Sequence, residues 1–293
     1  MPMKTCSYSC IYCQLGRTIR TSILRRRYCE PEEVARVVER ALENVDRVDY
    51  LTFVGDGEPT LYSLLGKAAT LVSREFGYRV ALISNASLVW RRDVREDSTV
   101  FDFVSMKLDA ATPSVFRRVN RPDNAIRISA IISGLEELSK EISGILSIET
   151  VLVDGVNDGS WHADLLAEAL RKVEPYVVYI NAPIRPPAEK WVRVPRVDRL
   201  RIFAERLSMY LGKHRVILLP LAEIDEVLAR ASTIESLLEI AKLHPVPLDL
   251  ALSLLKREHG DKAMEVLRRY LERGSLTIVK YRGREYIRAR QQT

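Results

Sequence analysis

Cys6-Ser7-Tyr8-Ser9-Cys10-Ile11-Tyr12-Cys13 places three thiols within eight residues, a spacing that lets one short loop close on a single iron–sulfur cluster. Such clusters are normally held by four cysteine thiolates. A compact set of three leaves one iron without a protein ligand. A structural zinc site takes a fourth Cys or His, usually as part of a second pair at a distance. Here Cys29 is the only other cysteine and His162 is the first histidine of the chain, so zinc is disfavoured. A disulfide framework belongs to small secreted domains and suits four cysteines in 293 residues poorly. Cys29 lies between Arg25-Arg26-Arg27-Tyr28 and a helix start at Glu30-Pro31-Glu32-Glu33, and we expect a packed free thiol there, not a ligand.

Downstream of the thiols, helix and strand patterns alternate. Val34, Val37, Val38, Ala41 and Leu42 repeat with the 3.6-residue period of a helix over 32–43. A short apolar strand over 49–54 follows and runs into Gly55-Asp56-Gly57-Glu58-Pro59-Thr60. Helices are expected over 61–76, before Asn120-Arg121-Pro122, over 126–141, over 160–173 with Asn157-Asp158 as its cap, and over 196–212. Strands are expected over 79–84, 101–109, 145–153, 176–181 and 215–219. Repeated strand–helix alternation implies parallel strands joined by right-handed crossovers. The expected fold class is therefore α/β, a partial parallel (β/α)6 barrel. A doubly wound open sheet is the alternative, but chemistry-bearing residues at several strand ends suit a barrel mouth better. Only residues 1–5 precede the first cysteine, so the strand that should feed the cysteine loop is missing or truncated, and a start upstream of Met1 is the favoured explanation.

Several candidates stand at those strand ends. Glycines in the turn at Gly55 and Gly57 allow backbone to approach a neighbour closely, with Glu58 and Pro59 completing the turn. Ser84 and Asn85 end one strand, where they either contact a ligand or stabilise a turn. Lys107 and Asp109, two apart on a strand, share a face and are expected to pair with each other or with a charged ligand. Glu149 interrupts an apolar run in a buried parallel strand and needs a reason to be there. Asn181 closes the next strand ahead of the proline-stiffened segment 182–187.

Beyond Pro220 the pattern changes to helices over 223–243, 247–258 and 261–273, followed by strands over 275–281 and 285–289 about the turn Arg282-Gly283-Arg284. On the third helix, Ala263, Met264, Leu267, Tyr270 and Leu271 are expected to form the buried face, leaving Lys262, Arg269 and Arg273 outward. The net charge of +6 permits a nucleic-acid partner without requiring one. The arginines from Arg17 to Arg27 are either a solvated face or phosphate holders. No apolar run approaches a membrane span. We expect a cytoplasmic protein with no membrane partner.

The Cys-x3-Cys-x2-Cys spacing, the following Gln14-Leu15-Gly16-Arg17-Thr18 and the Gly55 to Pro59 turn together resemble the radical S-adenosylmethionine (SAM) superfamily, in particular its branch of wyosine-type tRNA-modifying enzymes. The resemblance covers about residues 2–220 and implies a [4Fe–4S] cluster on Cys6, Cys10 and Cys13, whose open iron binds SAM. One electron delivered to the sulfonium then releases methionine and a radical that takes hydrogen from substrate. It also implies roles for single residues. Tyr12 would lie against the adenine, though loop packing also accounts for it. The Gly55-Asp56-Gly57-Glu58-Pro59 turn resembles the Gly-Gly-Glu motif that contacts the SAM amino group, with Asp56 in place of the second glycine. Ser84 and Asn85 would hold the ribose or carboxylate, and Lys107, Asp109, Glu149 and Asn181 are further cofactor contacts. Arg121 is a candidate substrate contact. An electron donor such as ferredoxin or flavodoxin is implied as a partner. The three helices and basic hairpin resemble a winged-helix domain, giving expected domains at 1–222 and 223–293. RNA, tRNA above all, is the first expectation for substrate, reached through the C-terminal domain and the basic N-terminal stretch. A peptide or small metabolite is the second, and an iron–sulfur regulator that binds nucleic acid without SAM chemistry is the third.

Overall fold

The computed structural model describes residues 2, 4–43, 45, 47–221 and 233–289. The chain forms two compact units: Met1–Ile11, Thr18–Ala182 and Arg193–Leu219 make the first, and Tyr12–Arg17, Pro183–Val192 and Pro220–Thr293 the second. The second unit thus takes two short segments, Tyr12–Arg17 and Pro183–Val192, from the stretch of chain that otherwise makes the first.

In the first unit, β1 (Thr5–Cys6) and β2 (Arg20–Thr21) make a two-residue parallel ladder of their own. Then come α1 (Pro31–Leu42), β3 (Leu51–Phe53), α2 (Leu65–Phe76), β4 (Val80–Ser84), α3 (Arg92–Ser98), β5 (Phe103–Lys107), α4 (Pro113–Val119), α5 (Ile128–Glu141), β6 (Ile145–Val151), α6 (Ser160–Val173), β7 (Val177–Asn181), α7 (Val197–Leu211) and β8 (Val216–Leu218). The six long-range strands form one parallel sheet in the order β3-β4-β5-β6-β7-β8. A doubly wound sheet reverses its strand order at a switch point, and this order never reverses. The doubly wound alternative is thereby removed, and the arrangement is that of a barrel left open between its first and last strands. Thr5–Cys6, where a strand is expected to feed the cysteine loop, pairs with β2 and not with the six-stranded sheet.

Local chemistry explains the boundaries. Helix α1 starts at a reciprocal capping box between Glu30 and Glu33, with Pro31 in its first turn. Helix α2 begins four residues later than its periodicity suggests, because Pro59–Leu61 forms a separate 3-10 turn capped by the Glu58 side chain. Helix α6 departs from expectation in a different way. Its N-cap is Gly159 without a side-chain bond, while Asn157 accepts from the Val153 N–H at 2.7 Å and Asp158 from the Gly155 N–H at 2.9 Å. Both side chains tie the preceding loop instead. Leu82, Val104, Met106, Ile148, Val178 and Ile180 fill the sheet, covered by Leu135, Leu138, Leu166, Leu170, Phe203 and Leu207 from the helices. This is the two-sided burial that makes parallel strands continuous apolar runs.

The second unit contains α8 (Ile234–Leu243), β9 (Val246–Pro247), α9 (Leu248–His259), α10 (Ala263–Glu272), β10 (Leu276–Tyr281) and β11 (Arg284–Ala289). The beginning of the helix expected over 223–243 lies outside the described residues. The antiparallel sheet runs β10-β11-β9, and its hairpin turns on Arg282 and Gly283 at φ 51° and 78°, the double left-handed conformation of a type I′ turn. Arg284 therefore opens β11 and is not a turn residue. Leu237, Leu254, Leu255, Leu267, Leu276 and Ile287 centre the core. Met264, expected inside, is 46% exposed, and Val266 packs on the core in its place.

Candidate active site

The cysteine loop is held over one end of the six-stranded sheet by the backbone of the first unit. The Glu58 N–H donates to the Thr5 carbonyl at 3.1 Å. A Cβ on Gly57 would stand 1.8 Å from that same carbonyl oxygen, a backbone atom that cannot give way. The close approach that requires glycine in this turn is therefore to the chain leading into Cys6. On the other side the loop lies along residues 119–123. Ile11 N–H donates to the Val119 carbonyl at 2.9 Å, Ser9 N–H to the Asn120 carbonyl at 3.0 Å, and Asp123 N–H to the Ser7 carbonyl at 2.9 Å.

Glu58, 1% exposed, braces this arrangement. Its Oε1 accepts from Thr60 N–H (2.9 Å), Thr60 Oγ1 (2.6 Å) and Ser84 Oγ (2.7 Å), and its Oε2 accepts from Asn85 N–H (2.8 Å). Burial pushes its carboxyl above the ordinary range, and the four donors hold it back. Glu58 and Ser84, read from sequence as ligand contacts, are thus a buried clamp joining the turn after β3 to the end of β4. What the turn presents outward is Gly55, Asp56 and Gly57, all half-buried.

Asn85 continues the clamp. Its Oδ1 accepts from Ser87 N–H at 2.9 Å, and its Nδ2 donates to Ser7 Oγ at 3.0 Å and Cys6 Sγ at 3.3 Å. Asp109, 2% exposed, accepts from Val151 N–H at 2.8 Å and from Asn120 Nδ2 at 2.6 Å, and Asn120 Nδ2 also lies 3.5 Å from Cys10 Sγ. In the Asn120-Arg121-Pro122 run the expected substrate contact is Arg121. The neutral neighbour is the one turned inward, while Arg121 is exposed at φ 45°.

Lys107, Glu149 and Asn181 meet across three neighbouring strands. Lys107 is in register with Glu149, and its Nζ lies 2.9 Å from Glu149 Oε2. Asn181 Nδ2 donates to Glu149 Oε1 at 2.7 Å. Burial alone would lower the Lys107 pKa, but the Glu149 and Asp109 carboxylates raise it above the ordinary value. Burial would raise Glu149, but Lys107 and Asn181 hold it below the ordinary value. The glutamate of the neighbouring strand is thus an ion-pair partner of Lys107, and Asp109, just beyond the end of β5, adds a second nearby carboxylate. Tyr8, within the loop and packed edge-on against Phe116 with ring centroids 5.4 Å apart, has its phenol pushed well above the ordinary range by burial and by nearby Cys10 and Glu58.

Cys13 and Tyr12 belong to the second unit's 12–17 segment, both half-buried. There Gln14 Nε2 lies 2.7 Å from His244 Nδ1, Arg185 NH1 donates to Gln14 Oε1 at 3.2 Å, and Arg17 forms a forked pair with Glu189 at 2.9 and 3.0 Å. Cys29 is a free, half-buried thiol whose carbonyl accepts from Tyr62 Oη at 3.1 Å. Arg25 is lost as a phosphate holder because it is buried against Asp93, Asp97 and the Thr60 and Tyr62 carbonyls. Arg27 pairs with Glu30.

Among the described residues no three His, Cys, Asp or Glu side chains stand close enough to hold a metal ion together. The donor set nonetheless fits an iron–sulfur group. The three thiols are half-buried, thiolates are the usual cluster ligands, and N–H donors beside the sulfurs are a known lever on such clusters. No described helix is long and apolar enough to cross a membrane.

Residues 1–166 match the radical SAM superfamily. A UPF0026 protein of Methanocaldococcus jannaschii is 33% identical over 288 residues, covering 98% of this chain and 89% of that protein. A probable dual-specificity RNA methyltransferase of Symbiobacterium thermophilum is 27% identical over 216 residues, covering 69% of this chain and 57% of that protein. Among solved structures, a radical SAM methyltransferase from Sphaerobacter thermophilus superposes with a TM-score of 0.58 at 20% identity, over 73% of this chain and 63% of that chain, a likeness of fold.

Proposed function

The chain belongs to the radical SAM superfamily, and from that premise we propose that this radical SAM enzyme modifies RNA, with Cys6, Cys10 and Cys13 holding a [4Fe–4S] cluster. The observation that carries the reading is that two of these cysteine sulfurs meet asparagine amides held beside the ends of β4 and β5. Cys6 is bonded by Asn85 from the end of β4, and Cys10 faces Asn120, which is anchored on Asp109 just beyond β5. When bound, the cluster and SAM supply reductive cleavage of the sulfonium and hydrogen abstraction from substrate, and a ferredoxin or flavodoxin supplies the electron.

The chain's own residues have narrower tasks. Glu58 and Ser84 fix the turn after β3, leaving the backbone at Gly55 to Gly57 to meet the SAM amino group. Lys107, Glu149 and Asn181 line adjoining strand ends and hold charge in a fixed pattern toward the polar ends of SAM. Tyr12 supplies a face for the adenine. RNA as substrate is supported by the resemblance to a probable RNA methyltransferase and by the element order of the second unit, helix, strand, two helices and hairpin, which is the order a winged helix requires.

Anaerobic reconstitution followed by incubation with SAM, reductant and RNA pools tests both parts. Four irons per chain and 5′-deoxyadenosine are expected without RNA, and a new modified nucleoside by mass spectrometry with it. Formation of 5′-deoxyadenosine that no RNA pool stimulates, together with unmodified nucleosides, rejects RNA and turns the reading to a peptide or small metabolite.

A further inference from the structure

Both asparagines next to the cysteine sulfurs have their amide orientation set by partners that admit only one choice. Asn85 Oδ1 is occupied by the Ser87 N–H at 2.9 Å, so its Nδ2 is the atom that faces Ser7 and Cys6. Asn120 faces Asp109 Oδ2 at 2.6 Å. An ionised carboxylate only accepts, so the atom presented is Nδ2, and its second hydrogen is the one available to Cys10 Sγ at 3.5 Å. Asp109 is itself held by the Val151 N–H at 2.8 Å, and Asn120 is 3% exposed. The end of β4 and the C-cap of α4 thus deliver one half-buried and one buried N–H to two of the three loop sulfurs.

A neutral thiol is a weak acceptor and gains little from such a donor. A cluster-bound thiolate is a charged acceptor, and its bond is stronger. Adding an electron to the cluster increases the negative charge on its sulfurs, so a fixed donor favours the reduced state and raises the potential, more so in a buried setting than in water.

We propose that Asn85 and Asn120 raise the reduction potential of the cluster on Cys6, Cys10 and Cys13 through hydrogen bonds to the Cys6 and Cys10 sulfurs. This rests on the cluster assignment made above. Asp109 is the positioning residue for Asn120, and the Ser87 N–H plays that part for Asn85. The proposal gives Asn85 a task that is complete before SAM binds.

The test is a redox titration of anaerobically reconstituted full-length protein without SAM, followed by EPR, with iron content measured in parallel. Asn85→Ala and Asn120→Ala should each lower the potential by about three- to tenfold in the reduction constant, which is about 28 to 59 mV for one electron, and the double variant by roughly the sum. Asn85→Asp keeps the shape of the side chain and removes the donor, and should lower the potential at least as far as Asn85→Ala. A role in packing alone predicts fewer clusters but an unchanged potential in those that form. Potentials at the wild-type value in Asn85→Ala, Asn85→Asp and Asn120→Ala overturn the proposal. Wild-type protein that takes up no four-iron cluster overturns the cluster assignment itself, and that is seen in the first measurement, before any variant is compared.

Discussion

The strand ends of the first unit and the hairpin of the second both carry charge, but they carry it differently. At the strand ends Glu58 and Asp109 are buried and each accepts several hydrogen bonds, and Lys107 pairs with Glu149 at side-chain exposures of 22% and 17%. At the hairpin Lys280 pairs with Glu285 at 3.2 Å and Arg284 with Asp249 at 2.9 Å, with side-chain exposures up to 80%. A buried charge costs several kcal/mol unless it is paired and hydrogen-bonded, whereas an exposed ion pair is worth roughly 0 to 1 kcal/mol. Charge at the strand ends is therefore held in one geometry, and charge at the hairpin is free to exchange partners. The first is what the cofactor site proposed above calls for, the second what the proposed contact with RNA calls for.

The largest effect expected from that contrast is at the thiols. Cys10→Ala should abolish 5′-deoxyadenosine formation, while Cys29→Ala, at a half-buried thiol beside Tyr62, should leave it largely intact. Equal loss in both would end the distinction between a ligand and a packed thiol.

Gly57→Ala comes next, since its Cβ would stand 1.8 Å from a backbone oxygen. We expect a loss of about 3 kcal/mol or more, the upper end of overpacking costs, read by chemical denaturation, together with poor iron uptake. Wild-type stability in this variant would show that the turn is not clamped to the cysteine loop.

Lys107→Met should cost about 2 to 4 kcal/mol, since removing one partner of a buried pair typically costs about 3 to 5 and this pair is partly screened. Its pH dependence sharpens the contrast. In the wild type Glu149 lies below its ordinary value, so its contribution is present above that value and is lost as pH falls through the folded one. Lys107 lies above its ordinary value, so its contribution is present below that value and is lost as pH rises through the folded one. Without Lys107, burial of Glu149 is opposed only by Asn181, and its pKa should rise. Stability should then fall as pH rises through the carboxylate range, the reverse of the wild-type acid limb. Carboxyl NMR titration and melting curves against pH check both statements.

The smallest effects belong to the hairpin. Each phosphate contact contributes about 0.7 to the slope of log affinity against log salt for single-stranded RNA, so Arg282→Ala with Arg284→Ala should flatten that slope and weaken binding. Asp249→Asn should strengthen it, because Arg284 is now neutralised by that carboxylate. An unchanged slope in the double variant would move the second unit from RNA to a protein partner.

Much of this was legible in the order of residues. Strand–helix alternation has a period that survives any tertiary detail, and the expected strands fall within a few residues of β3 to β8. The cysteine spacing and the turn at Gly55 to Pro59 likewise declare themselves, because the residue types are rare and their order is local. What could not be read was which polar side chains face inward. Asn157 reads as a helix cap and Asn120 carries no expected role, yet Asn120 reaches Asp109 and Cys10, and Asn157 donates to the Asp109 and Val151 carbonyls at 3.0 and 2.9 Å. Met264 was assigned inward by helical period, but a helix buries the stripe its neighbours cover, and here that stripe is centred on Leu267 and Val266.

The sequence by itself determined the parallel α/β class, the three-thiol loop and the change of architecture at Pro220, since each depends on periodicity, spacing or composition within one stretch of chain. The tertiary structure alone decided that Lys107 meets Glu149, that Glu58 is a clamp closed on Thr60, Ser84 and Asn85, and that two asparagines 35 positions apart attend two cysteines. Those pairings depend on strand register and on which backbone passes overhead, and neither is encoded in any window of neighbouring residues.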